Sequence, residues 1–230
     1  GSDSGQVRVY ENIGQAWIQV GGDINGEEAL EYSGTDVSLS GDGTVLAIAA
    51  PYDNSGAKGQ VRLFERTEVP LDAIDANGNI LTATSWTQIG STITGQNTND
   101  RLGESVSLSS DGKIVAIGAG ENNGSPTRYR GHVRIFEQVE VPLEVPLDAI
   151  DANGNPLTTA AIDANGDPIT TTTWAQIGSN INGAATEDNF GGAPGSISLS
   201  NDGSIVAIGA YGNDNDNGQG SGQVRIYKNL

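Results

Sequence analysis

Residues 100–119 read DRLGESVSLSSDGKIVAIGA and residues 131–137 read GHVRIFE, and the fold class follows from the patterning of these two stretches. VSLS alternates apolar residues with Ser, which predicts a short strand whose Ser face lies close to a neighbour. An Asp-Gly turn follows, and after it KIVAIGA is apolar on both faces, as expected of a strand buried between two packed sheets. The pattern recurs. The same order of segments begins at Trp17, Trp86 and Trp174, and each Trp stands seven residues before an Ile (Ile24, Ile93, Ile181). The first apolar residue of the VSLS-type segment stands five before the turn Asp in all three copies (Val37/Asp42, Val106/Asp111, Ile197/Asp202). These are repeated units, at about 17–65, 86–137 and 174–230, in one repeat domain spanning 1–230. A further fragment, GQVRVYE from Gly5, duplicates the end of a unit ahead of the first Trp.

Each unit predicts four strands. Strand a is VSLS and strand b is the apolar run after the turn. Strand c is GQVRLFE and its relatives, with Val61 and Leu63 on one side and Arg62 and Phe64 on the other. Strand d is the WxQIG segment. No stretch carries a sustained helical apolar period, and the Gly, Thr and Ser punctuation would interrupt one. Repeated four-stranded antiparallel units predict an all-β, β-propeller-like chain of three blades, each burying its faces against its neighbours. The alternative with three four-stranded repeats is a β-trefoil, which the long spacing between the Trp residues fits poorly.

The string DRLGESVSLSSDGKIVAIGA…GHVRIFE resembles the FG-GAP repeats of integrin-α-like β-propellers, in the form found in bacterial and algal arrays, over roughly two thirds of the chain. The resemblance implies an extracellular or cell-surface module for adhesion or protein–protein contact. In that family the turn between strands a and b carries an Asp-rich calcium loop. Here it is shortened to SGDGT, SSDGK and SNDGS, so those calcium sites are not carried over to Asp42, Asp111 or Asp202.

Composition narrows the function further. The chain has no Cys and a single His, His132. Thiol catalysis and Cys-ligated metals are thereby removed, and Ser-His-Asp triads and multi-His zinc sites have almost no raw material. The expectation is a non-enzymatic protein; a carboxylate-pair glycosidase is the enzyme class left open. With 11 Lys+Arg against 29 Asp+Glu, the net charge of −18 opposes nucleic-acid and anionic-lipid binding. No apolar run approaches the roughly 20 residues of a membrane-spanning helix, so no membrane insertion is expected. Gly1-Ser2 reads as a cleavage scar, which predicts a native start lying elsewhere.

Strand counting leaves the ends unmatched: the third unit has a, b and c without a following d, while the opening c and d have no a and b. Uncovered repeats expose apolar faces and edges. The expectation is excision from a longer array, or completion by a second copy, for example as a six-bladed homodimer. Insertions 66–85 and 138–173 are read as extended hairpin arms with turns at Asn77-Gly78, Asn153-Gly154 and Asn165-Gly166. Pro142, Pro146, Pro156 and Pro168 restrict the longer arm to edge strands or loops.

Several residues are candidates for chemistry. Asp214 and Asp216, in the loop YGNDNDNGQGSG, offer alternating oxygen ligands that suit calcium, the one cofactor considered; Asn, Asp and Gly are equally ordinary turn formers. Asp75, Asn77 and Asn79 and their copies Asp151, Asn153 and Asn155 share that ambiguity. His132 stands where other c strands carry Gln6, Gln60 and Gln223, which favours a structural substitution. Arg8, Arg62, Arg134 and Arg225 recur at one position, as a scaffold element packs or pairs between blades. The three Trp, identically placed, are read as core or inter-blade residues. The approaches at 27–32, 96–101 and 184–195 differ among copies and are the recognition candidates, with a glycan-binding lectin as the alternative function.

Overall fold

Strand pairing in the computed structural model, which describes residues 2–52, 56–74, 80–121, 129–150, 156–214 and 218–228, follows the repeat. In chain order the strands are β1 (Gln6–Val7), β2 (Tyr10–Ile13), β3 (Ala16–Gln19), β4 (Ile24–Asn25), β5 (Asp36–Leu39), β6 (Val45–Ala50), β7 (Gln60–Ile74), β8 (Ile80–Gln88) and β9 (Ile93–Thr94). They continue as β10 (Leu102–Leu108), β11 (Ile114–Ala119), β12 (His132–Pro142), β13 (Glu144–Ile150), β14 (Pro156–Ala160), β15 (Thr170–Asn182), β16 (Ile197–Leu199), β17 (Ile205–Ala210) and β18 (Gln223–Lys228). No helix occurs among the described residues, so the protein is all-β.

Two sheets are four-stranded antiparallel meanders, β5-β6-β7-β8 with β9 also on β7, and β10-β11-β12-β15. The third has three strands, β16-β17-β18. Among the described residues it has no fourth strand, and the WxQIG segment at Trp17 is paired as β3 with β2 in the N-terminal hairpin. That hairpin also carries the β1–β4 pair.

The sheets stack, and the period-2 alternation of the first two b strands feeds two different cores. Ala47 and Ala49 of β6 enter a core with Val61, Leu63, Val106, Val115, Ile117 and Phe136, between the first and second sheets. Leu46 and Ile48 point the other way, to Phe64, Trp86, Val7, Val9 and Ile24 of the hairpin. On the far side of the second sheet, Ala116 and Val133 meet Val206, Ile208, Phe190 and Ile197 of the third. Each such Ile or Leu taken fully out of water stabilises by roughly 1.5–3 kcal/mol. The apolar runs of β6 and β11 thus match burial on both faces.

The a strands lie side by side, and their Ser alternation has a specific use. Val106 N donates to Asp36 Oδ2 at 2.9 Å and Leu108 N to Ser38 Oγ at 3.0 Å. One unit on, Ile197 N donates to Ser105 Oγ at 3.3 Å and Leu199 N to Ser107 Oγ at 3.0 Å. Side-chain oxygens therefore satisfy the edge N–H groups that a neighbouring strand would otherwise take. Each a–b turn is closed by its own Asp: Asp42 Oδ1 accepts from Ser40 Oγ at 2.7 Å and from Thr44 N at 3.0 Å, with Gly43 at φ 71°. The hydroxyls of Ser40 and Thr44 hold the Asp42 carboxyl down at about 2.

The insertions prolong the c–d hairpins. β7 pairs with β8 as far as Ile74↔Ile80, and β12 with β15 as far as Pro142↔Thr170, after which β13 and β14 form a separate two-stranded ribbon. In a two-stranded ribbon every strand is an edge, which is how Pro142 and Pro146 are accommodated. The Asn165-Gly166 turn is closed by Asp163 Oδ1, which accepts from Asn165 N and Asp167 N. The turns at Asn77-Gly78 and Asn153-Gly154, with Asp75, Asn79, Asp151 and Asn155, lie outside the described residues.

Candidate functional site

The three variable approaches share one backbone device that their sequences conceal. Glu31, Asp100 and Asp188 stand at equivalent positions, seven residues after Ile24, Ile93 and Ile181, and all three are buried. Glu31 Oε2 accepts from Glu27 N and Glu28 N at 2.6 and 3.0 Å. Asp100 Oδ2 accepts from Asn97 N at 2.7 Å, and Asp188 Oδ2 from Ala184 N and Ala185 N at 2.7 and 2.8 Å. The residues on either side of each acid are left-handed: Leu30 and Tyr32, Asn99 and Arg101, Glu187 and Asn189 have φ between 49° and 68°. Non-Gly residues adopt that region only where the surroundings impose it, and here the carboxylate, gripping two backbone N–H groups in the first and third loops, does so. The recurring acid was available in the sequence as a signal but is masked there by the variability around it.

In the first unit the unit's own c strand completes the acid. Gln60 Nε2 donates to Glu31 Oε1 at 2.8 Å, and Arg62, itself buried, donates to Asn25 O at 3.0 Å and Ser33 Oγ at 3.2 Å. Its guanidinium also lies 3.2 Å from Glu27, 3.8 Å from Glu31 and over the Phe64 ring at 5.4 Å. Arg134 repeats the arrangement, with Nη1 to Thr94 O at 3.0 Å and the guanidinium 4.7 Å from the Phe136 centroid. The recurring Arg is therefore a joint between consecutive sheets. At the end of the stack Arg8 is exposed and pairs with Asp23 at 3.0 Å.

His132 occupies the Gln60 position and sits buried beside Asp100. Neither ring nitrogen has a hydrogen-bond partner among the described residues. Burial pushes its pKa down to about 4, against a raising influence from Asp100 and a lowering one from Arg134. The imidazole is neutral at physiological pH, a filler of the Gln site.

Along the same rim the loops after the b strands meet these approaches. Tyr32 and Tyr52 form an edge-on pair at 5.4 Å, and Arg101 lies 5.0 Å over Tyr52. The Arg101 guanidinium is 2.5 Å from Glu121 and 3.7 Å from Glu104. Glu104 is pushed up to about 7, first by burial, with Arg101 opposing and Glu121 reinforcing. Its Oε2 accepts from Gly120 N at 3.1 Å, which ties the two ends of the second unit's a–b pair together. Beyond it a cleft of about 500 Å³ is lined by Glu121, Tyr129, Glu187, Asn189, Tyr211 and Asp214. Of the two residues predicted to bind calcium, Asp214 lies in this cleft and its Oδ1 accepts from Gly220 N at 2.6 Å; Asp216 lies outside the described residues.

The three Trp side chains, alike in sequence, differ in setting. Trp174 is 9% exposed and its Nε1 donates to Ile89 O at 3.1 Å; Trp86 is half-buried and donates to Val20 O at 2.9 Å. Trp17 is 68% exposed. Compared with known proteins, the chain matches no family model and no curated sequence.

Proposed function

We propose that the chain is a non-enzymatic, extracellular binding and structural module, a partial β-propeller of FG-GAP type whose blades are the stacked sheets, acting in adhesion or protein–protein contact and in self-assembly. The observation that carries this reading is the uncovered face of the third sheet. Val61 and Leu63 of the first sheet are buried under the second, and Val133 of the second is buried under the third. Their counterparts Val224 and Ile226 are 68% and 72% exposed. A face that the repeat buries between sheets and that is exposed here offers a contact surface. Mass in solution by light scattering across a concentration series tests the reading. Association is expected, and a monomer at every concentration would overturn self-assembly. Turnover on a polysaccharide panel would overturn the non-enzymatic assignment.

A second reading, a glycan-binding lectin, is favoured by the cleft beside Tyr211. Tyr211 and Tyr129 are exposed aromatic rings next to Asp214, Glu187 and Asn189, the mix of stacking face and acceptors that suits sugar hydroxyls. Glycan-array binding lost in Tyr211→Ala would support it, and an array without signal would remove it.

A further inference from the structure

In the first two sheets the outer-strand indole rests on a glycine of the preceding outer strand. A Cβ placed on Gly21 would lie 2.8 Å from Trp86 Cδ1, and one on Gly90 would lie 2.9 Å from Trp174 Cδ1. Gly178 is the third member of that series, as Ile177 is the counterpart of the two carbonyl acceptors, Val20 and Ile89. Among the described residues, no atom lies within 4 Å of the Cβ position at Gly178. Instead a cavity of about 240 Å³ opens there, walled by Ile135, Ile177, Ile181, Val206 and Tyr227 and bordered by the outer edge of β18. An apolar cavity of roughly 150 Å³ takes up benzene, so this one has room for an indole.

We propose that the cavity is the seat of Trp17 from a second copy of the chain, whose β3 leaves its own hairpin and joins β18 as the fourth strand of the third sheet. The proposal rests on the self-assembly reading above and gives it a specific geometry. Residues 4–12, SGQVRVYEN, and residues 221–229, SGQVRIYKN, differ only at Val9/Ile226 and Glu11/Lys228. β3 therefore finds on β18 nearly the partner it has on β2. The present register Tyr10↔Gln19 and Glu11↔Ile18 becomes Tyr227↔Gln19 and Lys228↔Ile18. Tyr227 and Lys228 thus offer β3 the pairing that Tyr10 and Glu11 give it in the hairpin.

The apolar balance favours exchange. Val224 and Ile226 of the first copy take the places of Val7 and Val9 over Leu46, Ile48 and Phe64 of the second. That swap is neutral, because Val7 and Val9 are released as Val224 and Ile226 are covered. What is gained lies outside it. Val37 and Leu39 of β5 are exposed, whereas their counterparts Val106 and Leu108 are buried under the preceding sheet. β16 and β17 of the first copy supply that missing cover, and Trp17 moves from solvent into the cavity. Burial of these three side chains is the driving force. Two such head-to-tail contacts close a ring of two copies and six four-stranded sheets.

The absence of Cys makes the pairing directly readable. Ile18→Cys and Lys228→Cys are made as separate variants, mixed and oxidised. A cross-strand pair brings the two Cα atoms within disulfide reach. A mixed dimer on a non-reducing gel, well above the yield of either variant alone, is expected. Trp17→Ala is expected to weaken association at least ~30-fold by light scattering, the level at which an interface Trp counts as a hot spot. A dimer by mass with no mixed cross-link and no effect of Trp17→Ala would overturn strand exchange while leaving self-assembly standing. A monomer at every concentration would overturn both. A disulfide formed within one molecule of the double variant would mean that the chain closes on itself, and would overturn the second copy as the occupant.

Discussion

Replacing each Trp by Ala in turn, at dilutions where the chain is monomeric, tests whether the stack rather than the repeat decides what a residue contributes. Trp174 is almost fully buried, lies against Gly90 and donates to Ile89 O, so truncation leaves both a cavity and an orphaned carbonyl. Large aromatic-to-Ala changes of this kind cost about 3–5 kcal/mol. Trp86 keeps the hydrogen bond to Val20 O but is half-buried against the thin N-terminal hairpin, and roughly 2 kcal/mol is expected. Trp17→Ala is expected to fall within about 0.5 kcal/mol of the parent, as exposed substitutions do. In urea, with a slope of about 2–3 kcal/mol/M, the Trp174 variant should lose about 1.5 M in midpoint and the Trp17 variant almost nothing. A Trp17 variant as damaged as the Trp174 variant would refute the reasoning, because it would place Trp17 in a seat of its own within the monomer. Equal losses for all three would assign them a shared local role and remove the stacking argument.

Other outcomes follow from the buried charges. Glu104, raised to about 7 from an ordinary 4.5, binds its proton more tightly folded than unfolded, so its contribution is intact below about 4.5 and lost as pH rises through 7. Glu104→Gln should gain stability above pH 7, by up to roughly 3 kcal/mol, and gain nothing at pH 4. His132, depressed to about 4 from 6.5, has the opposite slope: its contribution is intact above 6.5 and lost as pH falls through 4. His132→Gln should therefore be stabilised at pH 4 relative to the parent, and chemical denaturation across pH 4–8 should show the two slopes nearly cancelling in the unmodified chain. Arg62→Ala, which strips a buried carboxylate of its cation, should cost about 3–5 kcal/mol, while Arg8→Ala, on an exposed pair with Asp23, should leave the urea midpoint where it is. Asp188→Ala leaves three donors unmet and two left-handed residues unsupported, an expected loss of about 3 kcal/mol with amide exchange rising first over residues 184–192.

Much of this was legible from the letters alone. Strand periodicity, the Asp-Gly turns and the Trp-to-Ile spacing located the repeated strands, because burial on both faces requires unbroken apolar runs and tight turns require Gly. The Ser face of strand a announced a close neighbour, and the side-chain oxygens that cap the next strand's N–H groups are what it announced. The recurring Arg was readable as scaffold. The loops were not, since the exposed residues in 27–32, 96–101 and 184–195 vary while one buried acid per loop sets the backbone. Divergence drew the eye to recognition, and the shared conformation was carried by Glu31, Asp100 and Asp188. The pairing of Asp214 with Asp216 as ligands came from spacing alone; in the fold one Asp214 oxygen accepts from Gly220 N, and Asp216 lies outside the described residues.

Local sequence, then, determined which segments become strands, where they turn and which faces are apolar, because those properties depend on alternation and on φ at single residues. Only the tertiary structure decided what covers each face. Trp17, Trp86 and Trp174 sit in nearly the same local sequence, yet one is solvated and one buried, because burial belongs to the neighbour that a sheet happens to have. The same holds for Val61 and Val224, and for Gly90 and Gly178. Near-identical strands have unlike fates at the ends of the described stack, where an apolar face that is buried elsewhere meets solvent.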